Sequence, residues 1–441
     1  MIIIYKFDIW HLMPDNWSMN IYFSGIGGVG IGPLAMLALD AGYAVGGSDI
    51  KESDMTKLLS QRGANVRIGQ DGSQIKSEHN KYPIDWLVHS SALADDHPEL
   101  KFARDNKIRT SKRDEFINII LKEKNLSMLA VAGTHGKTTT TGMLIWLFKS
   151  LNIPFSYSVG TTLTFGPPAQ YQNGSEYFVY ECDEFDRNFL HFNPKVSAIT
   201  TVDYDHVETY PTQDDYNYAF TDFISQSRYT LLWQQTADHL SITESSSNEI
   251  LSESDPGLNS LTLKGDHTRQ NAWLAIQAFH QLFPKYETNQ LTDIINQFPG
   301  TDRRFEKIAD NLYSDYAHLP TEISATIQAA LEVNKNVVVV YQPHQNVRQS
   351  EILREGGYKT SFVGAKHVYW LPTFLSREYK DTPTIEPTEL VDSTTNKQGI
   401  EVCSMNDELW KSIQSHIKNG DLVLCMSAGS LDAWIRQRAK S

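Results

Sequence analysis

The residues Gly133-Thr134-His135-Gly136-Lys137-Thr138 stand between an apolar run, SMLAVA, and the run TTTTGMLIWLFKSL. A glycine-rich turn that opens a helix aims several backbone N–H groups at one point, a lysine adds a full positive charge, and the next hydroxyl can ligate a divalent cation. That is the chemistry of holding nucleotide phosphates, and Thr139 carries the loop into the helix. A strict phosphate loop has a glycine five positions before Gly136, where this chain has Val131, so Gly133 serves the turn in a shortened variant. A second phosphate signal comes earlier. Gly25-Ile26-Gly27-Gly28-Val29-Gly30 fits G-x-G-x-x-G, with the acidic Asp49 about 20 residues on. This pattern suits a pyrophosphate at a helix N-terminus and does not separate a dinucleotide from another diphosphate nucleotide.

Acids follow. Glu181, Asp183, Glu184 and Asp186 close the apolar run YFVYE, where hard oxygen ligands facing a phosphate loop would hold Mg²⁺, and Asp205-His206 closes the next apolar run. Further on stand Asp302-Arg303-Arg304-Phe305, Asp315-Tyr316-Ala317-His318 and Gln342-Pro343-His344, with Arg348 beyond. Arginines near phosphate and carboxylate suit bidentate anion recognition, although Arg304 could equally bridge domains and the histidines could be structural.

These groups need elements to position them. Residues 21–23 read as a strand, followed by the glycine turn, the helix PLAMLALDAG and a strand ending at Ser48-Asp49, a βαβ start that implies a parallel, doubly wound sheet. The strand DWLVHSSA, a helix and RTSKRDEFINII bring this first unit to Lys124. SMLAVAG is apolar throughout, as suits a strand buried on both faces, and opens a second α/β unit with EYFVYEC and VSAITTV. Residues 233–260 are polar and without periodicity, and read as a surface excursion. Residues 271–283 are helical, and QFPGTDRRF reads as a hinge into a third unit. In that unit residues 336–341, 367–371, 400–403 and 422–426 are strands alternating with helices. The expected divisions are an N-terminal extension outside the fold (1–18), a Rossmann-like domain (19–124), a central P-loop ATPase α/β domain (125–300) and a C-terminal Rossmann-like α/β domain (301–441).

Length and composition agree. At 441 residues, with 40% hydrophobic and 21% charged residues, the chain has room for three cores and is neither disordered nor greasy. Lys+Arg against Asp+Glu is 39 against 53, a net charge of −14 that disfavours nucleic acid and anionic membranes as partners. Cys182, Cys403 and Cys425 are far apart and lack CxxC spacing, which argues against a disulfide framework or a zinc site and for a cytoplasmic location. No stretch reaches the roughly 18 to 20 apolar residues of a membrane span, and Asp8 and His11 interrupt the only apolar run near the N-terminus.

In this order and spacing, FSGIGGVGIGPLA with GSD, SSALADDHPEL, VAGTHGKTTTT, ECDEFDRNFL, DYDHVETY, GDHTRQN, GTDRRFE, SDYAHLPTE and YQPHQNVR resemble the Mur ligases, the ATP-dependent amino-acid-adding enzymes of peptidoglycan precursor synthesis, from about Met19 to the end of the chain. The resemblance is strongest to the alanine-adding branch. It implies UDP-N-acetylmuramate and L-alanine as substrates, ATP and Mg²⁺ as cofactors, an acyl phosphate intermediate, and a monomer or weak dimer. It places Gly25, Gly27, Gly28, Gly30, Asp49, Ser90 and Ser91 at the UDP-sugar. It places Gly133, Thr134, His135, Gly136, Lys137, Thr138, Thr139, His267, Asn271, Arg304 and Asp315 at ATP, and Thr138, Glu181 and His206 at the metal. Tyr316, His318, His344 and Arg348 would surround the amino acid, and Lys137, Glu181, His206, Arg304 and His318 would be catalytic.

The chain departs from that branch at Ala317 and Leu319, where D-Y-G-H-H-P is usual, at Gln345, where an arginine is usual, and at Thr201 and Thr268. The alternatives are a murein tripeptide ligase using the same nucleotide sugar or a ligase adding glycine or serine. Sister ligases with a carbamylated lysine fit less well, because no lysine occurs from residue 196 to 263.

Overall fold

The structure is a computed structural model that describes residues 19–90, 93–376, 378, 384–395 and 397–440. The expected extension at 1–18 and the candidate Ser91 lie outside the described residues.

Three sheets follow one another along the chain. The first has five parallel strands in the spatial order Asn65–Ile68, Ala44–Asp49, Asn20–Ser24, Trp86–His89 and Arg109–Lys112. The strand Asn20–Ser24 sits at its centre, so the glycine turn that follows it leaves from the middle of the sheet edge. The second sheet has seven strands, with Ser127–Ala132 between Val196–Ile199 and Tyr177–Glu181. The phosphate loop and both acidic loops therefore issue from three adjacent, parallel strand ends. In the third sheet Val337–Gln342 and Leu422–Ser427 form the buried middle. The all-buried sequence VVVVYQ is what a parallel strand covered on both faces requires.

Side-chain alternation divides the central sheet between two cores. Met128, Ala130 and Ala132, with Phe178 and Tyr180, point toward the first sheet and share one continuous apolar cluster with Ile21, Phe23, Leu34 and Phe116. Leu129, Val131, Tyr177 and Val179 point the other way, onto the helices Lys137–Ser150 and Asp266–Leu282. The first two units are thus welded through a common core, while the third sheet has apolar clusters of its own.

Two stretches differ from the sequence reading. Residues 233–260 are not a structureless excursion: they hold the helix Gln234–Leu240, the strand Asn248–Leu251 and a 3-10 turn, Pro256–Ser260. The strand NEIL pairs in parallel with Thr230–Trp233 at the sheet edge, where one flank is open and little apolar pattern is needed. The start of the third unit, read only as a hinge and motifs, is an antiparallel hairpin of Glu306–Ala309 and Leu312–Asp315. Asn311 turns it with a positive φ of 58°.

Because Phe178 lies in the core shared by the first two sheets, Phe178→Ala should lower unfolding free energy by about 3–5 kcal/mol. Urea denaturation should show both units moving together, and an unchanged midpoint would contradict the shared core.

Candidate active site

The phosphate loop is built where only glycine fits. Gly133 has φ +135°, and a Cβ there would stand 2.1 Å from the Thr200 hydroxyl oxygen. Gly136 has φ +81° and lies against the buried Asn271 amide, 2.6 Å from where its Cβ would be. Backbone bonds from Thr134 N–H to the Thr201 carbonyl, at 2.8 Å, and from His135 N–H to the Thr201 hydroxyl, at 3.1 Å, fix the loop to the next strand end. Thr201, a departure from the family pattern, thus holds the loop in place.

Lys137 turns back under this loop. Its ammonium donates to the carbonyls of Gly133 and Thr134 and to both oxygens of Glu184, at 2.9 and 2.8 Å. Burial alone would lower the pKa of Lys137, but the carboxylates of Glu184, Asp183 and Glu181 outweigh it and hold the ammonium charged. The Thr138 hydroxyl donates to Glu181 at 2.9 Å, and the other Glu181 oxygen accepts from Gly160 N–H at 2.8 Å. Asp183, Glu184 and His206 offer ligand atoms that all lie within 4.8 Å of one another. His206 itself has φ +58°, a left-handed conformation that L residues rarely adopt and that clusters at functional sites. Sequence reading singled out Glu181 and His206; it named Asp183 and Glu184 only as members of an acidic run, and the fold shows that Glu184 is the one that meets Lys137.

A cleft of about 590 Å³ opens beside the loop, between the central and C-terminal units. It is lined by His135, Gly136, Thr139, His267, Asn271, Arg304 and Asp315, all candidates from the sequence, together with apolar Trp233, Leu263, Phe298 and Phe305. Burial pushes the His267 imidazole down to about 4, and its buried Nδ1 has no hydrogen-bond partner. A neutral ring with an unused polar atom beside an apolar wall suits a flat heteroaromatic base. Asp315 is buried and accepts from the backbone N–H groups of Phe305 and Ala317, at 2.6 and 2.7 Å, so it braces the cleft wall. The Arg303 and Arg304 guanidinium groups both stand over the Tyr316 ring, 4.7 and 5.0 Å from its centroid.

The remaining candidates gather on the C-terminal side. His318 meets Tyr316 and His344 edge-on, at 5.5 and 5.9 Å between ring centroids, and His344 stacks on Phe374. Arg348 reaches the central unit, pairing with Asp205 at 3.0 Å as well as with its own neighbour Glu351 at 2.7 Å. The glycine turn stands apart from this cleft: Asp49 accepts from Gly27 N–H at 2.8 Å, and Gly25 and Ile26 N–H both donate to the Ser48 carbonyl. Gly30 and Ser90 line a smaller cavity against the central unit.

Glu322, not singled out from the sequence although it ends the SDYAHLPTE motif, links the loops. One of its oxygens accepts from His135 Nδ1 at 3.1 Å; the other accepts from the backbone N–H groups of His318 and Leu319, at 3.0 and 3.2 Å. His135 Nε2 faces Asp203 at 3.3 Å. Burial would lower the imidazole pKa, but the bonds to Asp203 and Glu322 raise it to about 9 from the ordinary 6.5. A raised folded-state pKa means that this contact contributes fully below pH 6.5 and is lost as pH climbs through about 9. Small-angle scattering should therefore show the C-terminal unit separating from the central one between pH 7 and 10, and Glu322→Gln should remove that step; a flat radius of gyration in the unsubstituted chain would contradict it.

Three family models match the chain in sequence order: Mur ligase family, catalytic domain, at residues 20–125; Mur ligase middle domain at 131–253; and Mur ligase, glutamate ligase domain, at 303–429. A UDP-N-acetylmuramate--L-alanine ligase of Desulforapulum autotrophicum is 30% identical over 94% of this chain and 96% of the relative. One of Clostridium acetobutylicum is 29% identical over 95% of this chain and 97% of the relative. Among solved structures, a UDP-N-acetylmuramate-alanine ligase of Thermotoga maritima has a TM-score of 0.73 at 24% identity, covering 96% of this chain and 98% of that one. A murein peptide ligase of Psychrobacter arcticus has a TM-score of 0.65 at 22% identity, with the same coverage. With the sheet order, the loop set and near-full-length relatives in agreement, the chain belongs to the Mur ligase family.

Proposed function

We propose that the chain is an ATP-dependent ligase that joins L-alanine to the lactyl carboxylate of UDP-N-acetylmuramate through an acyl phosphate, in peptidoglycan precursor synthesis. One observation carries the reading. The charged phosphate loop of the central unit stands between a glycine turn suited to a nucleotide diphosphate on one side and a His-Arg cluster suited to an amino acid on the other. Curated relatives spanning almost the whole chain bear the name of that activity.

The residues divide the work by charge. In this reading the loop amides take the phosphates, and Lys137, held against Glu184 under the loop, turns to them so that its ammonium stabilises the charge that builds on the transferred phosphoryl oxygens. His267, Asn271 and the apolar wall take the base, and Arg304, whose charge acts on the buried Asp315 carboxylate in the cleft wall, serves the phosphates from the C-terminal unit. The muramoyl carboxylate attacks the terminal phosphorus, ADP leaves, and the amino group of the amino acid attacks the acyl phosphate carbon to expel phosphate. Tyr316, His318, His344 and Arg348 position that amino acid.

The donor set fits a hard divalent cation. Thr138, Glu181 and His206 would hold magnesium, with Asp183 and Glu184 in reach of His206. When bound, magnesium neutralises phosphate charge and orients the terminal group.

The test is phosphate release from ATP with magnesium and UDP-N-acetylmuramate against L-alanine, glycine, L-serine and the murein tripeptide, with the product mass determined. Release with L-alanine is expected, and Lys137→Ala should reduce it by at least about 100-fold with the fold intact. Preference for another acceptor would move the chain to that branch, and no release with any acceptor would overturn the assignment.

A further inference from the structure

A cavity of about 70 Å³ lies where the first unit meets the central one, bounded by Gly30, Ser90, Lys112, Arg113, Asp183 and Asn188. It has room for a few water-sized groups, hence for a carboxylate or one phosphate but not for a sugar ring. Its charged lining sets Lys112 and Arg113, the first residue of the helix Arg113–Glu123, against Asp114 and Asp183. Arg113 Nε donates to Asp114 and its Nη2 to Asp183, both at 3.3 Å, long for charge-assisted bonds, which run at about 2.7–2.9 Å. Nη1 has no hydrogen-bond partner among the described residues and stands 3.5 Å from where a Cβ on Gly30 would be. Lys112 adds a second cation, paired with Asp186 at 3.0 Å. Asp186 and Arg187, which lie in the chain between the lining residues Phe185 and Asn188, both hold positive φ, 54° and 57°. Such consecutive left-handed residues concentrate at functional sites.

The carboxylate that engages Arg113 has other partners. Asp183 accepts from Phe185 N–H at 3.1 Å through its other oxygen, and it belongs to the group with Glu184 and His206. We propose that Arg113 is an exchange residue: an oxyanion of the nucleotide sugar takes the place of Asp183 on its guanidinium, and Asp183 turns wholly to the side of Glu184 and His206. The inference rests on the nucleotide-sugar reading above. Arg113 acts by binding and positioning, and sugar occupancy in the first unit is thereby reported to the acids around Lys137. Nothing in the motif RTSKRDEF marks this arginine; only the packing of two units places it.

The test is calorimetric binding of UDP-N-acetylmuramate to the full chain without ATP or magnesium. Arg113→Met should weaken binding at least tenfold, Arg113→Lys should recover part of the loss, and Asp183→Asn should tighten binding severalfold, because it removes the competing carboxylate. A purely structural ion pair would have both partners' variants weaken binding alike. Circular dichroism and thermal melting identify any variant that fails to fold, in which case the Arg113→Lys and Asp183→Asn pair decides. UDP-N-acetylglucosamine, which has the diphosphate but no lactyl carboxylate, names the anion: a retained Arg113→Met penalty assigns the diphosphate, and a lost penalty assigns the carboxylate, both supporting the exchange. Unchanged affinity in Arg113→Met, or weakening in Asp183→Asn, would overturn it. No binding by the unsubstituted chain would overturn the nucleotide-sugar reading, and this proposal with it.

Discussion

A buried ion pair organises the centre of this molecule. Glu184 is fully buried and Lys137 largely so, and desolvating two such groups costs several kcal/mol per ion unless their remaining bonding capacity is met. The structure goes some way to meeting it: the ammonium also donates to two carbonyls of its own loop, and the His206 imidazole stands 3.7 Å from the Glu184 carboxylate. For that to happen the loop must curl tightly over the lysine, which requires glycine at 133 and 136 and an adjacent strand end close enough to receive the loop N–H groups. The parallel order of Tyr177–Glu181, Ser127–Ala132 and Val196–Ile199 supplies that neighbour.

The outer units reach the centre by the same device. From the first unit Arg113 reaches Asp183, and from the third Glu322 reaches His135 while Arg348 reaches Asp205. Each joint sets a charged side chain of one unit against a titratable partner on a central strand-end loop. Such contacts are specific in direction, which suits a site assembled from separate units. The apolar joints are distributed unequally. The first unit shares a core with the central sheet, whereas the third has its own, so the charged joints matter most on the C-terminal side.

The departures from the family pattern in the third unit have local structural roles. Leu319 is buried in the third core, and its N–H is held by Glu322 at the start of the helix Pro320–Leu331. Ala317 is buried and donates its N–H to Asp315. Gln345 takes φ +58°, and its side-chain amide donates to the Ser376 carbonyl at 2.9 Å, tying the His344 loop to the neighbouring segment. With no arginine there, Arg348 remains as the nearby cation, already shared between Asp205 and Glu351.

By itself the sequence determined what depends on local spacing. Turn glycines, the lysine and hydroxyl that follow them, strands apolar throughout and acids at strand ends all recur within a few residues, so the three-unit α/β order and the phosphate loop were legible, while His267, Asn271 and Asp315 of the cleft lining came from the family resemblance. The edge strand Asn248–Leu251 was not, because an edge position imposes little apolar pattern, and neither was the short hairpin that opens the third unit. Only the tertiary structure decided which acid of the run at 181–186 meets Lys137, and that His135, Glu322, Arg113 and Asp183 are joints between units. The physical reason is distance along the chain: His135 and Glu322 are 187 residues apart, and Arg113 and Asp183 70, so no local propensity records their meeting. Packing of whole sheets brings them together, and burial away from water then strengthens the attraction between the paired groups.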